Sequence, residues 1–370
     1  MTTPHCPSFI ARALLLAPLA LLVFPDAASA RADDAASDPV APAEPAAAEP
    51  SAAAAPAEPA PAEPLPAEEP LPPAEAAPPP EPSKPAPPPY SLPFQLRPVV
   101  AGSVIRLDNT VAFYKGPEGS ALEDESGTTF VSLLLASYKV TDWFAPLVRV
   151  GVASNSPPGD ADGSTNFLNP ALGGTFAFKP TPETRLALFL GLTIPVGSGG
   201  GNGSTPDDVA ARATNAAGAA ARSAMDNAMF ATSYFTVFPG VGFAFVKSGF
   251  TAQVEATLLQ LTRVKGDEVQ KDESKTNFTT GLHLGYFVIP ELSIAAELRH
   301  QRWLSDPTQP DVEAQPALRD NTTVALGPRV HLKFGEKVWF RPALAFALPL
   351  DEPLTTSKHK MLQLDLPVAF

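Results

Sequence analysis

Cysteine is all but missing from this chain, and long apolar runs are missing from everything after its first 30 residues. The one cysteine, Cys6, lies before the apolar run Ala13–Phe24 and not just after it, where a lipoprotein cysteine would stand, so no lipid anchor is implied. Cleavage after Ala30 would remove it and leave no thiol, which excludes disulfides, thiolate metal sites and a cysteine nucleophile. Between residues 94 and 370 no apolar stretch comes near 18 residues, so a helical membrane span is excluded there. Histidine is scarce as well, with five in 370 residues.

What is present begins with a secretion-type leader. Arg12, the apolar run and Ala28-Ser29-Ala30 together read as a signal peptide over residues 1–30. Residues 31–93 then change character, with 20 of the chain's 45 prolines between Pro39 and Pro89 and mostly alanine and glutamate around them. Such a segment has too little apolar surface to offset its ordering entropy and is expected to be a disordered periplasmic linker. In polyproline form its 63 residues would reach roughly 190 Å at ~3.1 Å each. Eleven acids against two bases put about −9 of the net −13 charge in this linker. That argues against nucleic acid as a partner and leaves open a periplasmic or cell-wall partner bound through residues 31–93.

After residue 93 short alternating runs recur. The expected strands are 95–107, 128–140, 143–154, 169–179, 183–195, 234–247, 249–263, 275–288, 291–303, 321–334, 337–349 and 360–370. Tight connections such as Thr141-Asp142, Pro180-Thr181-Pro182, Ser248, Ile289-Pro290 and Gly335-Glu336 alternate with long polar ones. Short turns at one end and long loops at the other, over an even number of strands, predict an all-β fold: a closed antiparallel transmembrane β-barrel of the outer membrane over residues 94–370. Parity sets the facing. Leu186, Leu188, Leu190, Leu192 and Ile194 share one side of their strand, opposite Ala187, Phe189, Gly191 and Thr193. The last strand carries Leu362, Leu364, Leu366, Val368 and Phe370 on one face, and Leu364, Leu366, Val368 and Phe370 are expected to serve as the signal read by the barrel-assembly machinery. Strands 95–107 and 128–140 alternate poorly, and Pro98, Pro146, Pro239, Pro328 and Pro342 fall inside expected strands, where proline cannot donate to a ladder. Aromatics cluster near both sets of connections, with Phe167, Phe230, Tyr234, Phe235 and Trp303 at the long-loop end, as interfacial belts require.

The polar parity holds Arg149, Gln253, Glu255, His283, Glu297, Arg299, Arg329, His331, Lys333, Arg341, Gln363 and Asp365. These are the candidates to line the lumen, either along a wet passage for small solutes or as mutually paired charges filling a closed interior. With both signs present, no strong preference for anions or cations follows. No serine stands two residues from His283 or His331, so a serine hydrolase is not indicated, and no cofactor is expected. The loop GSGGGNGSTPDD at 197–208 lacks the Gly-Lys-Ser/Thr of a phosphate-binding turn. The alanine-rich stretch 207–229 predicts a helix capped by Ser204 or Thr205, which could lie over or in the barrel mouth. Asp160-Ala-Asp162-Gly163 is too incomplete for a calcium loop.

NPALGG at 169–174, followed by the leucine-rich strand ending Ile194-Pro195-Val196-Gly197, resembles the outer-membrane transporter-like family associated with phenol meta-cleavage pathway operons. The resemblance implies a barrel that takes up small, often apolar or aromatic compounds. It gives no catalytic residues, and the proline-rich tail departs from it. Two functions follow as expectations. One is passive passage of small solutes across outer-membrane lipid, with 196–233 as a gate. The alternative is a structural anchor whose tail tethers a partner.

Overall fold

The computed structural model describes residues 89–116, 118–305 and 319–370. The signal peptide and the linker up to Pro88 lie outside the described residues. The chain forms a closed antiparallel barrel of twelve staves, built from fifteen strand segments. They are β1 Val104–Lys115, β2 Ser126–Ser137, β3 Phe144–Ser156, β4 Ser164–Phe167, β5 Ala171–Phe178, β6 Thr184–Thr193, β7 Tyr234–Lys247, β8 Phe250–Arg263, β9 Ser274–Ile289, β10 Leu292–Trp303, β11 Asp320–Val330, β12 Leu332–Phe334, β13 Val338–Phe340, β14 Ala343–Pro349 and β15 Lys360–Ala369. β4 and β5 pair with successive parts of β3 and so make one stave. β12 continues β11, and β13 leads into β14. Closure runs from Val104 opposite Ala369 to Phe113 opposite Lys360, so no sheet edge is left unpaired between first and last stave.

Alternation explains the wall. Along β6, Leu188, Leu190 and Leu192 are exposed on the outside, while Ala187, Phe189 and Thr193 are buried within. Ile294 and Leu298 of β10 and Leu344, Phe346 and Leu348 of β14 continue the outer apolar band. An apolar exterior around a polar interior is what a lipid-facing barrel requires. β2 alternates poorly for a local reason. Its inward Val131 and Leu133 pack in one cluster with Ala221, Ala228 and Met229 of a helical insert, so this part of the inner wall must itself be apolar.

The prolines are accommodated individually. Pro98 is not in the wall at all, and Pro342 falls between β13 and β14. Pro328 sits where the β11–β14 ladder is interrupted between Leu326 and Arg329.

Two departures from the expected strands matter for function. The first strand begins at Val104, not at residue 95, and continues through Lys115, so Asp108, Asn109 and Thr110 are in the wall and buried. Residues 89–103 run inside the barrel instead. The second departure concerns the aromatic belt. Phe230 and Tyr234 are buried in the interior, whereas Phe167 and Phe235 do face outward.

Leu190 is 54 % exposed at mid-stave. Leu190→Arg should therefore cost about 2–4 kcal/mol of folding free energy in lipid vesicles, measured by denaturant titration. An unchanged midpoint would show that this face does not meet lipid.

Candidate functional site

The lumen is the candidate site, and two inserts fill it from opposite ends. The first is the hairpin 89–103. From Val104 at the short-turn end it climbs past Val99, which packs with Ala187, Ala244 and Val246. It turns at Phe94–Leu96 and returns to Ser91 and Tyr90. Ser91 N–H donates to Thr251 Oγ1 at 3.0 Å, next to the start of β8, and Val99 N–H donates to Tyr90 Oη at 3.2 Å to close the hairpin. Both limbs thus emerge at the short-turn end.

Small inward residues make room for it. Phe94 is enclosed by Ala295, Ala343 and Ala345. A side chain at Gly281 would collide with Leu96, and one at Gly285 with Ser91. Phe94, Leu96 and Val99 are all but completely buried, each contributing roughly 1.5–3 kcal/mol of apolar burial.

The second insert is the long connection between β6 and β7. Its helix α1, Pro206–Ala221, starts where the sequence predicts. Thr205 is the N-cap, and a capping box with Asp208 satisfies the first free N–H groups. The helix ends earlier than residue 229. Ser223 and Ala224 adopt positive φ, and a single turn, α2 Asn227–Phe230, follows. Ala210, Thr214, Gly218 and Ala221 of α1 are buried against the wall, which places α1 within the long-loop mouth and not on the outer surface.

Charged side chains join the inserts to the wall. Arg222, fully buried, donates through Nη2 to Asp108 Oδ2 at 2.7 Å and through Nε to Asp226 Oδ2 at 3.0 Å. Arg149 Nη1 reaches Asp226 Oδ1 at 2.5 Å. Burial pushes the Asp226 carboxyl up, but Arg149 and Arg222 outweigh it and hold the carboxyl well below the usual carboxylate range. On the hairpin side the wall bonds mainly to backbone. Glu297 accepts from the N–H groups of Phe94 and Gln95, and Glu255 Oε2 accepts from Arg97 N–H at 2.6 Å. Gln253 Nε2 donates to Arg97 O at 2.7 Å, and Arg329 donates to the carbonyls of Leu92 and Pro93. Asp365 is held between Arg106 Nε and Arg329 Nη2, each at 2.6 Å. Arg299 donates to Glu297 and to Gln363 Oε1. Gln363 in turn donates to Asp108 Oδ1 and Phe94 O. The inserts themselves meet at mid-lumen, where Gln95 Nε2 donates to Arg222 O at 2.7 Å.

No family model matches the sequence, and no curated protein matches it. Among solved structures the chain is similar to an outer membrane channel from Pseudomonas putida F1, at 16 % identity over 75 % of this chain and 98 % of that one, with a TM-score of 0.47. It is also similar to the NanC porin, at 6 % identity over 71 % and 98 % with a TM-score of 0.41. The KdgM porin matches at 8 % identity over 71 % and 99 %, with a TM-score of 0.36. At such identities and scores none of these likenesses decides what this barrel carries.

Of the residues the parity argument selected, Glu255, His283, Glu297, Arg299, Arg329 and Asp365 are buried in the lumen, and Arg149 and Arg341 are half-buried there. Lys333 is different. It lies on the β12–β13 hairpin, exposed like its neighbours Leu332 and Phe334, because β12 is uncovered on both of its faces. Parity missed Arg97, Arg106, Asp108, Arg222 and Asp226, which stand in a poorly alternating expected strand, a long loop or the alanine-rich stretch expected to be helical. It also missed a contact of 2.9 Å between Ser293 Oγ and His331 Nε2. The other face of that imidazole has Phe287 against it, and no carboxylate is bonded to it among the described residues, so the pair lacks the orienting group of a hydrolytic triad. Among the described residues no three histidine, cysteine, aspartate or glutamate side chains converge to hold a metal.

A cavity of about 170 Å³ remains between hairpin, insert and wall. Leu147, Phe189, Met229 and Phe238 line it together with Arg97, Arg106, Arg149, Arg341, Asp226 and Asp365.

Asp226→Ala would leave Arg149 without its carboxylate and Arg222 with Asp108 alone. We expect about 3 kcal/mol less hold on the insert, read as faster hydrogen exchange over 206–230. A depressed carboxylate pKa contributes stability above the unfolded pKa, and that stability is lost only as pH falls through the folded value. Protection of 206–230 in the native chain, taken relative to the intrinsic exchange rate at each pH, should therefore be flat from pH 8 to about pH 4, an ordinary aspartate pKa being about 3.9. Loosening already near pH 6 would contradict this assignment.

Proposed function

We propose that the protein is an outer-membrane barrel for the passive passage of small solutes, shut at rest by its two inserts. The observation that carries this reading is the way the lumen is filled. A barrel whose only task was to be solid could use an apolar core. Here the inserts are attached to the wall largely through hydrogen bonds and ion pairs, which water can replace when an insert leaves. The insert 196–233 is one gate, as its position in the mouth suggests, and the hairpin 89–103 is a second. The small apolar or aromatic compounds implied by the resemblance to the phenol meta-cleavage family suit the apolar part of the cavity and remain part of this proposal. So do the signal peptide at 1–30, the linker expected at 31–93, of which residues 89–93 belong to the hairpin instead, and the role of Leu364, Leu366, Val368 and Phe370 in assembly.

A second reading, an anchor that tethers a periplasmic partner through the tail, is favoured by one observation. The hairpin emerges at the short-turn end, next to the end where β15 finishes, and the proline-rich segment continues directly from it. On this reading a partner that holds the tail also pulls on the hairpin, so tethering and gating share one mechanical element.

Cysteines at Ser91 and Thr251 provide the test, because Cys6 is the only native thiol and the leader carries it. In planar bilayers the native chain should show openings as its inserts leave transiently, the oxidised double variant should be silent, and reduction should restore the native openings. Silence of native, oxidised and reduced protein at good incorporation would rule out the passage reading. Deleting residues 31–88 should remove co-purifying envelope proteins if the tail is a tether; an unchanged set of partners would defeat that alternative.

A further inference from the structure

The charges of the lumen do not balance. Its carboxylates are Asp108, Asp226, Glu255, Glu297 and Asp365, and each is bonded to arginine. These contacts occupy Arg97, Arg106, Arg149, Arg222, Arg299 and Arg329. Among the described residues two inward guanidiniums have no carboxylate partner, Arg185 and Arg341. Each lies against an aromatic ring instead. Arg185 is 5.4 Å from the centre of Tyr90, and Arg341 is 5.0 Å from that of Trp339. The Nε of each is buried without a hydrogen-bond partner. A ring face offsets only part of the cost of withdrawing a cation from water, about 0.5–2 kcal/mol, and leaves the Nε–H unsatisfied.

Only one of the two faces open space. Arg341 stands in the wall of the 170 Å³ cavity, whose charged lining is Arg97, Arg106, Arg149 and Arg341 against Asp226 and Asp365. The remainder is mostly apolar, including Leu92, Pro93 and Leu147. A site with a spare guanidinium at one end and apolar walls beyond it is complementary to a molecule with one negative end and an apolar body.

We propose that this cavity binds a small organic anion, with its carboxylate on Arg341 and its hydrocarbon part along the apolar wall. Arg106 lines the same cavity and Arg329 donates to the Arg341 carbonyl, and both are already committed to Asp365. They raise the local positive potential without competing for the ligand. Arg341 is then a selectivity residue: the ligand supplies the negative counter-charge that its guanidinium does not find in the lumen. The consequence for transport, a preference for anions over neutral analogues, rests on the passage reading, whereas binding itself does not.

The test uses the detergent-purified full chain and two probes of one shape, hexanoate and its uncharged amide hexanamide, titrated calorimetrically. Hexanoate should bind saturably and at least roughly tenfold more tightly than hexanamide, the scale of one charge-assisted hydrogen-bonded contact. Arg341→Gln should abolish that difference by weakening hexanoate alone. Arg341→Lys, which keeps the charge and loses the planar fork, should retain part of it and provides a second variant if the glutamine form fails to fold. Equal binding of the two probes, no binding of hexanoate, or a preference unchanged in Arg341→Gln would each overturn the proposal. Bilayer conductance of the same samples separates the two claims. Charge-selective binding in a barrel that never conducts keeps the site and removes the passage, while conduction without charge-selective binding keeps the passage and removes the site.

Discussion

Everything inside this barrel depends on one constraint: charged side chains that the strand period turns inward must find partners where little water can reach them. The wall alone does not satisfy it. Glu297 has Arg299 two residues along its own strand, but its other oxygen accepts from the backbone of Phe94 and Gln95. Asp108 has no arginine on a neighbouring stave and is met by Arg222, delivered by the insert. The inserts are therefore the solvent of the lumen. Their carbonyls, N–H groups and arginines stand where water would stand in an open pore.

The same constraint explains why the two inserts differ in kind. The long-loop insert brings its own charges, Arg222 and Asp226, and has a helix to hold them, with α1 packed on apolar positions of β2. The hairpin brings mostly backbone. An irregular segment has free N–H and C=O groups along its length, and here they answer Glu255, Glu297, Gln253, Arg106 and Arg329 one after another. An insert held by backbone tolerates many sequences, and an insert held by a buried arginine does not. Of the two, the hairpin is chemically the easier to withdraw, since the charges it uncovers stay on the wall, where entering water and ions can reach them.

Much of the wall was legible in the sequence because period two and the alternation of loop lengths are local signals. β6, β7, β8 and β15 match their expected spans to within two residues, and the outward leucines of β6 lie where parity placed them. What escaped depends on distant partners. Asp108, Asn109 and Thr110 read as loop because three consecutive polar residues make no apolar face, and the reason for two of them is Arg222, over a hundred residues away. The hairpin escaped because residues 90–93 read as the end of the proline-rich linker and 95–103 as the start of a poorly alternating strand. Its trace lies elsewhere, in the inward alanines 295, 343 and 345 and in Gly281 and Gly285. A water-filled lumen has no use for a small apolar inner face, so such a face in a barrel sequence signals that protein fills the space. Lys333 failed for the opposite reason: parity continues along β12, but burial does not.

The placement of the hairpin has a mechanical consequence. Its two limbs leave by the same end and are closed by the bond from Val99 to Tyr90. One limb is fixed to β1 in the wall. The other continues in sequence into a segment rich in proline. Tension on that limb acts first on Tyr90 and Ser91, then on the bonds of Arg329 to Leu92 and Pro93, and only then on buried Phe94 and Leu96. Contacts loaded one after another resist far less than contacts loaded together, so the hairpin can peel from its free limb while β1 stays in the wall. A plug inserted as a hairpin is thus strong against a load from the opposite mouth and weak against a pull on its free limb, an asymmetry that suits the gating and tethering proposed above.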